Sequence, residues 1–358
     1  MLIGRRSINL EEYTCVSART KHSRLIIKTR TGPTQLHFSA LRVSVALART
    51  ILSINPRRIE LAFQSMSSIL SLQTLVGNTK KLALVDDINL KFRDFSLTTR
   101  VGELAQAISY LFAQDILGKP IIVDFEGYLR SQGHYIKVDK QSSPDFVLCD
   151  SLKAKQIDLL ESKGSTVNQV KNGLKSTLRV ALEQCDSGKS ILAASPIGSA
   201  VKNSFGTVVL FPEESVTSWD ACVHFSDPEI ETDVTVKDPL ALIKYHFASW
   251  FMLIGLTEEA VGLASGENLQ MMQPIEEKIV DDKKYYILNK SHGLFPNIIN
   301  DDFFAKIGSE KKKYGIASEV FELLSTGDFQ SIKDHLLIYN PISNDDMELF
   351  SDGTIILY

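Results

Sequence analysis

Residues 143–165 read SPDFVLCDSLKAKQIDLLESKGS. Two apolar runs, Asp145–Asp150 and Ile157–Lys163, flank the polar stretch Ser151–Gln156. This pattern predicts a β-hairpin. Hairpin geometry folds the end of the second strand back beside the start of the first, so Asp145 is expected to land next to Glu161 and Lys163. Side chains alternate between the two faces of a strand. Glu161 and Lys163 therefore share a face with Ile157 and Leu159, while Leu160 and Phe146 point the other way. Apolar residues on both faces imply a strand covered on both sides until its charged end.

Working outward, TTRVGELAQAISYLFAQDILG (98–118) places Val101, Leu104, Ala105, Ile108, Leu111 and Phe112 at three- and four-residue intervals. That is the period of an amphipathic helix, closed by Gly118-Lys119-Pro120. KPIIVDFEG (119–127) and HYIKVDK (134–140) are strand candidates. After the hairpin, residues 167–185 read as a helix, and FGTVVLFPE (205–213) and ACVHFS (221–226) as strands. The central order is helix, three strands, helix, strand. Upstream, RLIIKTR (24–30), LHFSALRVSVAL (36–47), RRIELAFQS (57–65) and KKLALVDDINLKF (80–92) alternate like strands, with a short helix at 67–77. Downstream of the polar stretch 226–239, the periodicity is mostly helical: LALIKYHFASWFMLIG (240–255), NDDFFAKIG (300–308) and IASEVFELLSTG (316–327), with one small strand at 352–358. The expected organisation is a β-rich N-terminal domain (1–95), an α/β core (96–230) and a mainly helical C-terminal domain (238–358).

Two carboxylates at close range repel unless a positive group joins them. Asp145 and Glu161 supply only oxygen ligands, which favour Mg2+ or Mn2+. Such an ion can activate water and offset charge developing on a phosphate. Lys163, on the same strand face, can position that water or stabilise a phosphoryl oxygen. Taken alone, Glu-x-Lys also ends many solvent-exposed strands. The joint pattern of Pro144-Asp145, the interval, the apolar run before Glu161 and the glycine after Lys163 points instead to phosphodiester hydrolysis.

Pro-Asp, fifteen intervening residues and Glu-Ser-Lys resemble the PD-(D/E)xK nuclease superfamily, over about residues 98–212. The resemblance implies a restriction-endonuclease-like fold, a mixed sheet flanked by helices with an αβββαβ core. It implies a Mg2+-dependent endonuclease with Asp145 and Glu161 on the metal and Lys163 beside it. Glu103 on the preceding helix matches the further acid of the family, although Asp124, Glu126 or Asp139 could take its place. Gln169 is the looser counterpart of a polar residue on the following helix, and the carbonyl of Ser162 a further metal ligand. The resemblance also implies a nucleic-acid substrate, with DNA the first choice. It is compatible with a homodimer or an ATPase or helicase partner, and with restriction or antiviral defence. The alternative is a subunit that keeps the fold as a binding or scaffold module without turnover.

Other features are weaker. Lys171, Lys175 and Arg179 recur at four-residue intervals, a basic helix stripe that can meet a nucleic-acid backbone or simply face solvent. Residues 19–30 form a second basic patch. Gly164 reads as a strand-to-helix turn, and His246 as a core residue. Cys15, Cys149, Cys185 and Cys222 form no paired zinc motif, and no lysine-serine phosphate loop supports ATP hydrolysis. The formal net charge of −4 gives no global nucleic-acid signal. The apolar run at 240–255 is interrupted by Lys244 and His246 and is shorter than a bilayer span. A cytoplasmic protein without membrane contact is the expectation.

Overall fold

The computed structural model describes residues 4–15, 25–51, 74–79, 81–92, 94–134, 142–149, 157–167, 173–195, 201–226, 239–270, 274, 276–288, 313–328 and 339–358. The described elements open with β1 (Arg5–Cys15), β2 (Leu25–Lys28), β3 (Gln35–Ser39), α1 (Ala40–Ile51), α2 (Ile88–Lys91) and α3 (Asp94–Asp115). The central stretch holds β4 (Ile121–Asp124), α4 (Phe125–Ser131), β5 (Phe146–Cys149), β6 (Ile157–Thr166), α5 (Leu174–Ala193), β7 (Val201–Phe211) and β8 (Cys222–Ser226). Then come α6 (Pro239–Leu253), α7 (Thr257–Ala264), β9 (Glu276–Val280), β10 (Lys283–Ile287), β11 (Lys313–Ala317) and α8 (Ser318–Thr326). Three short strands follow: β12 (Ile342–Ser343), β13 (Met347–Leu349) and β14 (Thr354–Leu357).

The first eight strands form one mixed sheet in the order β2-β1-β8-β7-β6-β5-β4, with β3 also on β1. Strands β4, β5 and β6 run as an antiparallel meander. Strand β7 is parallel to β6, and α5 lies between them in sequence, as a parallel neighbour requires a crossover. Strand β8 is antiparallel to β7 and parallel to β1. The strands of residues 5–39 thus share a sheet with those of 121–226.

Each face of the sheet has its own core. Leu160, Phe146, Phe205 and Val209 pack with α3, whose Val101, Leu104, Ala105, Ile108, Leu111 and Phe112 are all buried. Ile157, Leu159 and Val147 pack on the other side with Cys185 and Leu192 of α5 and with α6. The alternation expected for the second hairpin strand is therefore present. Gly164 lies inside β6, not at a strand-to-helix turn. A Cβ there would stand 2.4 Å from the Val101 carbonyl oxygen, so the glycine lets α3 rest directly on the strand.

Three stretches depart from the sequence-based expectation. Residues 36–47 are a strand only to Ser39; α1 follows, and the Ser39 hydroxyl caps it by accepting from the Arg42 N–H at 3.1 Å. The apparent alternation arose because Arg42 counted as an exposed residue, whereas it is buried against Asp115 at 2.6 Å. Residues 80–92 give isolated bridges and the short α2. Asp87 there sits in the left-handed region at φ 55°, which a continuing strand excludes. The C-terminal region, expected to be mainly helical, holds a six-stranded sheet in the order β12-β13-β14-β11-β10-β9. Its β9–β10 hairpin turns on Asp281 and Asp282, both at positive φ (48° and 60°), the geometry of a two-residue type I′ turn. The candidates at 57–65, 134–140 and 300–308 lie wholly or almost wholly outside the described residues.

Buried charge ties this C-terminal sheet to the core. Arg49 of α1 contacts Asp352 at 2.5 Å, and His246 of α6 contacts the same carboxylate at 2.9 Å. The three side chains are buried. Burial alone would raise the Asp352 carboxyl, but Arg49 and His246 hold it far below the ordinary range. Two turns earlier on α1, Arg42 pairs with Asp115 and donates to the Leu349 carbonyl at 2.9 Å. His246 is indeed a core residue, held by hydrogen bonds of its ring nitrogens to the Ile122 carbonyl and Asp352 as well as by packing.

Candidate functional site

The β5–β6 register aligns Phe146 with Leu160 and Val147 with Leu159. One step further, Asp145 faces Glu161. The Asp145 backbone N–H donates to Glu161 Oε2 at 2.9 Å, and the Ser162 N–H donates to Asp145 Oδ2 at 2.8 Å. Each carboxylate is thus held by the backbone of the opposite strand. Lys163 Nζ lies 2.5 Å from Glu161 Oε1. The hairpin does bring the three charged side chains together.

The strand ends are braced from both sides. Gln106 of α3 donates from Nε2 to Asp145 Oδ1 at 2.9 Å, so both Asp145 oxygens accept a hydrogen bond. Gln184 of α5 donates to the Ser143 carbonyl at 3.2 Å. A Cβ at Gly188 would meet the Pro144 ring at 2.6 Å, so α5 packs tightly on the residue before Asp145. The Phe125 N–H donates to the Asp145 carbonyl at 2.9 Å, which seats α4 at the rim.

Electrostatics make the pair uncomfortable. Glu161 is only 2% exposed. Burial, then the charge of Asp145, push its carboxyl up to about 8, although Lys163 opposes the shift. Burial likewise raises Asp145, against the Ser162 N–H and the Lys163 charge. Two acids therefore crowd one partly exposed lysine, in a setting that favours taking up a proton or another positive charge.

Of the remaining candidates, Asp124 and Glu126 stay within electrostatic reach of Asp145, and the others separate. Glu103 pairs with Arg100 at 2.8 Å, and Gln106, three residues on, is the α3 side chain that reaches Asp145. The signal for Gln106 was its place on the same helix face; its amide hid it from a search for acids. The Ser162 hydroxyl turns to the α3 side, 2.9 Å from the Ser109 hydroxyl. Asp124 caps α4 through the Gly127 N–H. Glu126 accepts from the Ser143 hydroxyl at 3.0 Å and from Arg130 at 3.1 Å. Lys175 and Arg179 lie on α5, and the Lys175 charge helps to lower Glu11 of β1, away from the carboxylate pair. Gln169, Lys171 and Asp139 lie outside the described residues. Among the described residues, no group of three or more His, Cys, Asp or Glu side chains is placed to hold a metal ion. No helix among them is long and apolar enough to cross a membrane.

No protein-family model matches the chain, and no curated protein or solved structure matches it significantly.

Proposed function

We propose that the chain is a metal-dependent nuclease with a restriction-endonuclease-like core. The observation that carries this reading is the hairpin register, which sets Asp145 against Glu161 and brings Lys163 to 2.5 Å from Glu161. The order α3-β4-α4-β5-β6-α5-β7, with an antiparallel meander and a parallel fourth strand, supports the same assignment. Apart from the short α4 inserted after β4, it is the αβββαβ order that the PD-(D/E)xK resemblance implies.

The donor set fits a hard divalent cation. It consists of two carboxylates, one deeply buried, whose mutual repulsion such an ion would relieve. Asp145 and Glu161 would hold Mg2+ or Mn2+, with water and a backbone carbonyl such as that of Ser162 completing the shell. When bound, the ion would supply Lewis-acid stabilisation of a phosphate oxygen and a more acidic water.

The chain's own residues do the rest. Gln106 and the Ser162 N–H fix the Asp145 carboxylate, so its oxygens need not reorganise when substrate binds. Lys163, partly exposed on β6 beyond the β5 pairing, is free to turn from Glu161 towards a phosphoryl oxygen or the attacking water. A nucleic-acid backbone, DNA first, is the substrate class. Restriction or antiviral defence, with a homodimer or an ATPase or helicase partner, is the setting this chemistry fits.

The test is Mg2+-dependent cleavage of single- and double-stranded DNA and of RNA. Wild type should cut at least one form, and Asp145→Ala, Glu161→Ala and Lys163→Ala should each abolish it while staying folded. Binding without cleavage in every form would transfer the assignment to a scaffold or binding subunit.

A further inference from the structure

A cavity of about 380 Å³ opens at the far edge of the large sheet, lined by Arg5, Arg6, Ser7, His37, Phe38 and Ser343. Its size falls within the range of small-molecule sites. Strands β1 and β3 build it, paired with Ser7 opposite His37 and Arg6 opposite Phe38. Strand β12 of the second sheet contributes Ser343.

The polar lining is made of donors. Arg5 is a permanent cation with five N–H groups, His37 carries at least one ring N–H, and Ser7 and Ser343 carry hydroxyls. Arg6 alternates to the other face of β1, where its buried guanidinium is held by the carbonyls of Gly77, Thr79 and Lys81, so Arg5 is the charge available to a ligand. Phe38 is an apolar wall, 2% exposed. Two acids stand nearby. Asp345 contacts Arg5 at 3.2 Å, but both side chains are exposed, so that pair is weak and easily exchanged. Glu348 accepts from the Ser343 hydroxyl at 3.0 Å, and burial pushes its carboxyl up, which lessens its opposition to an incoming anion.

The cavity is separate from the carboxylate pair. Lys163 is in register with Val208, His224 and Glu11 across β6, β7, β8 and β1. Those three strand spacings amount to about 14 Å. Arg5 lies a further six residues along β1 from Glu11, roughly 20 Å at the rise of an extended strand.

We propose that this cavity is an anion site that receives a phosphate group, carried by a small phosphorylated molecule or by a nucleic-acid backbone. Arg5 grips the phosphate oxygens, His37 and the Ser7 hydroxyl donate to the rest, and Asp345 is displaced. The proposal stands on the cavity alone and does not require the nuclease reading.

Calorimetry on the full chain in EDTA tests it with three probes: inorganic phosphate, a 5′-mononucleotide and a short single-stranded oligonucleotide. Arg5→Ala should weaken binding about tenfold or more, the loss expected for a charge-assisted contact. His37→Ala should weaken it less, and Asp345→Asn should tighten it by freeing Arg5. Asp145→Ala should leave it unchanged, which separates this site from the carboxylate pair. Binding of the small probes assigns a small phosphorylated ligand; binding of the oligonucleotide alone, lost in Arg5→Ala, assigns a backbone phosphate. No binding of any probe, or binding indifferent to both Arg5→Ala and His37→Ala, overturns the proposal. Unchanged thermal unfolding of the variants controls for folding, because Arg5 and His37 are exposed.

Discussion

Replacing Glu161 by Gln should stabilise the metal-free protein at alkaline pH. The wild-type carboxyl is pushed up to about 8 by burial and by Asp145. The native state therefore holds this proton more tightly than the unfolded chain does. Stability falls as pH rises from the ordinary glutamate range to about 8, and levels off above it. At about 1.4 kcal/mol per pH unit, the ionised form costs up to roughly 5 kcal/mol. This is an upper limit, since a strained site relaxes. Glutamine removes the charge at nearly constant volume. It has one acceptor where the carboxylate has two, so either the Asp145 N–H or the Lys163 ammonium will face an amide donor, at a cost of about 1–2 kcal/mol. The net gain near pH 9 is about 2–3 kcal/mol, or roughly 5 °C in a chain of this size. Near pH 6 the unfolded chain has already lost this proton and about 2 kcal/mol of the penalty is in place, so the same change should gain at most about 1 kcal/mol. Thermal unfolding in EDTA at the two pH values measures both arms. An identical shift at both would refute the reasoning, because Glu161 would then not titrate between them. A variant more stable but inactive would mark strain kept for function.

Gln106→Ala frees one oxygen of Asp145 and should lower Mn2+ affinity about 10- to 100-fold, as loss of a partner behind a metal ligand does; titration calorimetry reads this without any substrate. Gly164→Ala places a methyl 2.4 Å from a backbone carbonyl and should destabilise by about 1–3 kcal/mol or more, seen as a lower denaturant midpoint. Asp352→Ala leaves Arg49 buried without its carboxylate and should cost about 3–5 kcal/mol. Asp352→Asn, which keeps an acceptor, should cost less, and equal losses would argue against a charge-based role.

The hairpin was legible because register is arithmetic. Once Phe146 is set directly opposite Leu160, Asp145 and Glu161 must meet, because the next pair along an antiparallel ladder is fixed. Helix α3 was legible from its apolar period, but not which of its polar residues would matter. Glu103 has the acid expected there, yet Arg100 one turn back offers it a local partner, and Gln106 points at the strand end. Helix α1 was misread because a buried arginine looks like a solvent residue until its carboxylate is known, and Asp115 is far away in sequence. The C-terminal sheet escaped notice because its strands are short. The β9–β10 hairpin also turns on Asp-Asp, a weaker signal than Asn-Gly.

The cluster of Arg49, His246 and Asp352 also bears on how the chain is made. Its members are spaced 197 and 106 residues apart, with 303 between the first and the last. Before Asp352 is made, packing α1 against α6 would enclose the Arg49 charge without a counterion. The inner surface of the first helix must then stay open, or be shielded by a chaperone, until the aspartate emerges. Final closure of the core is thereby deferred until Asp352 has been made, and such long-range pairing makes folding slow.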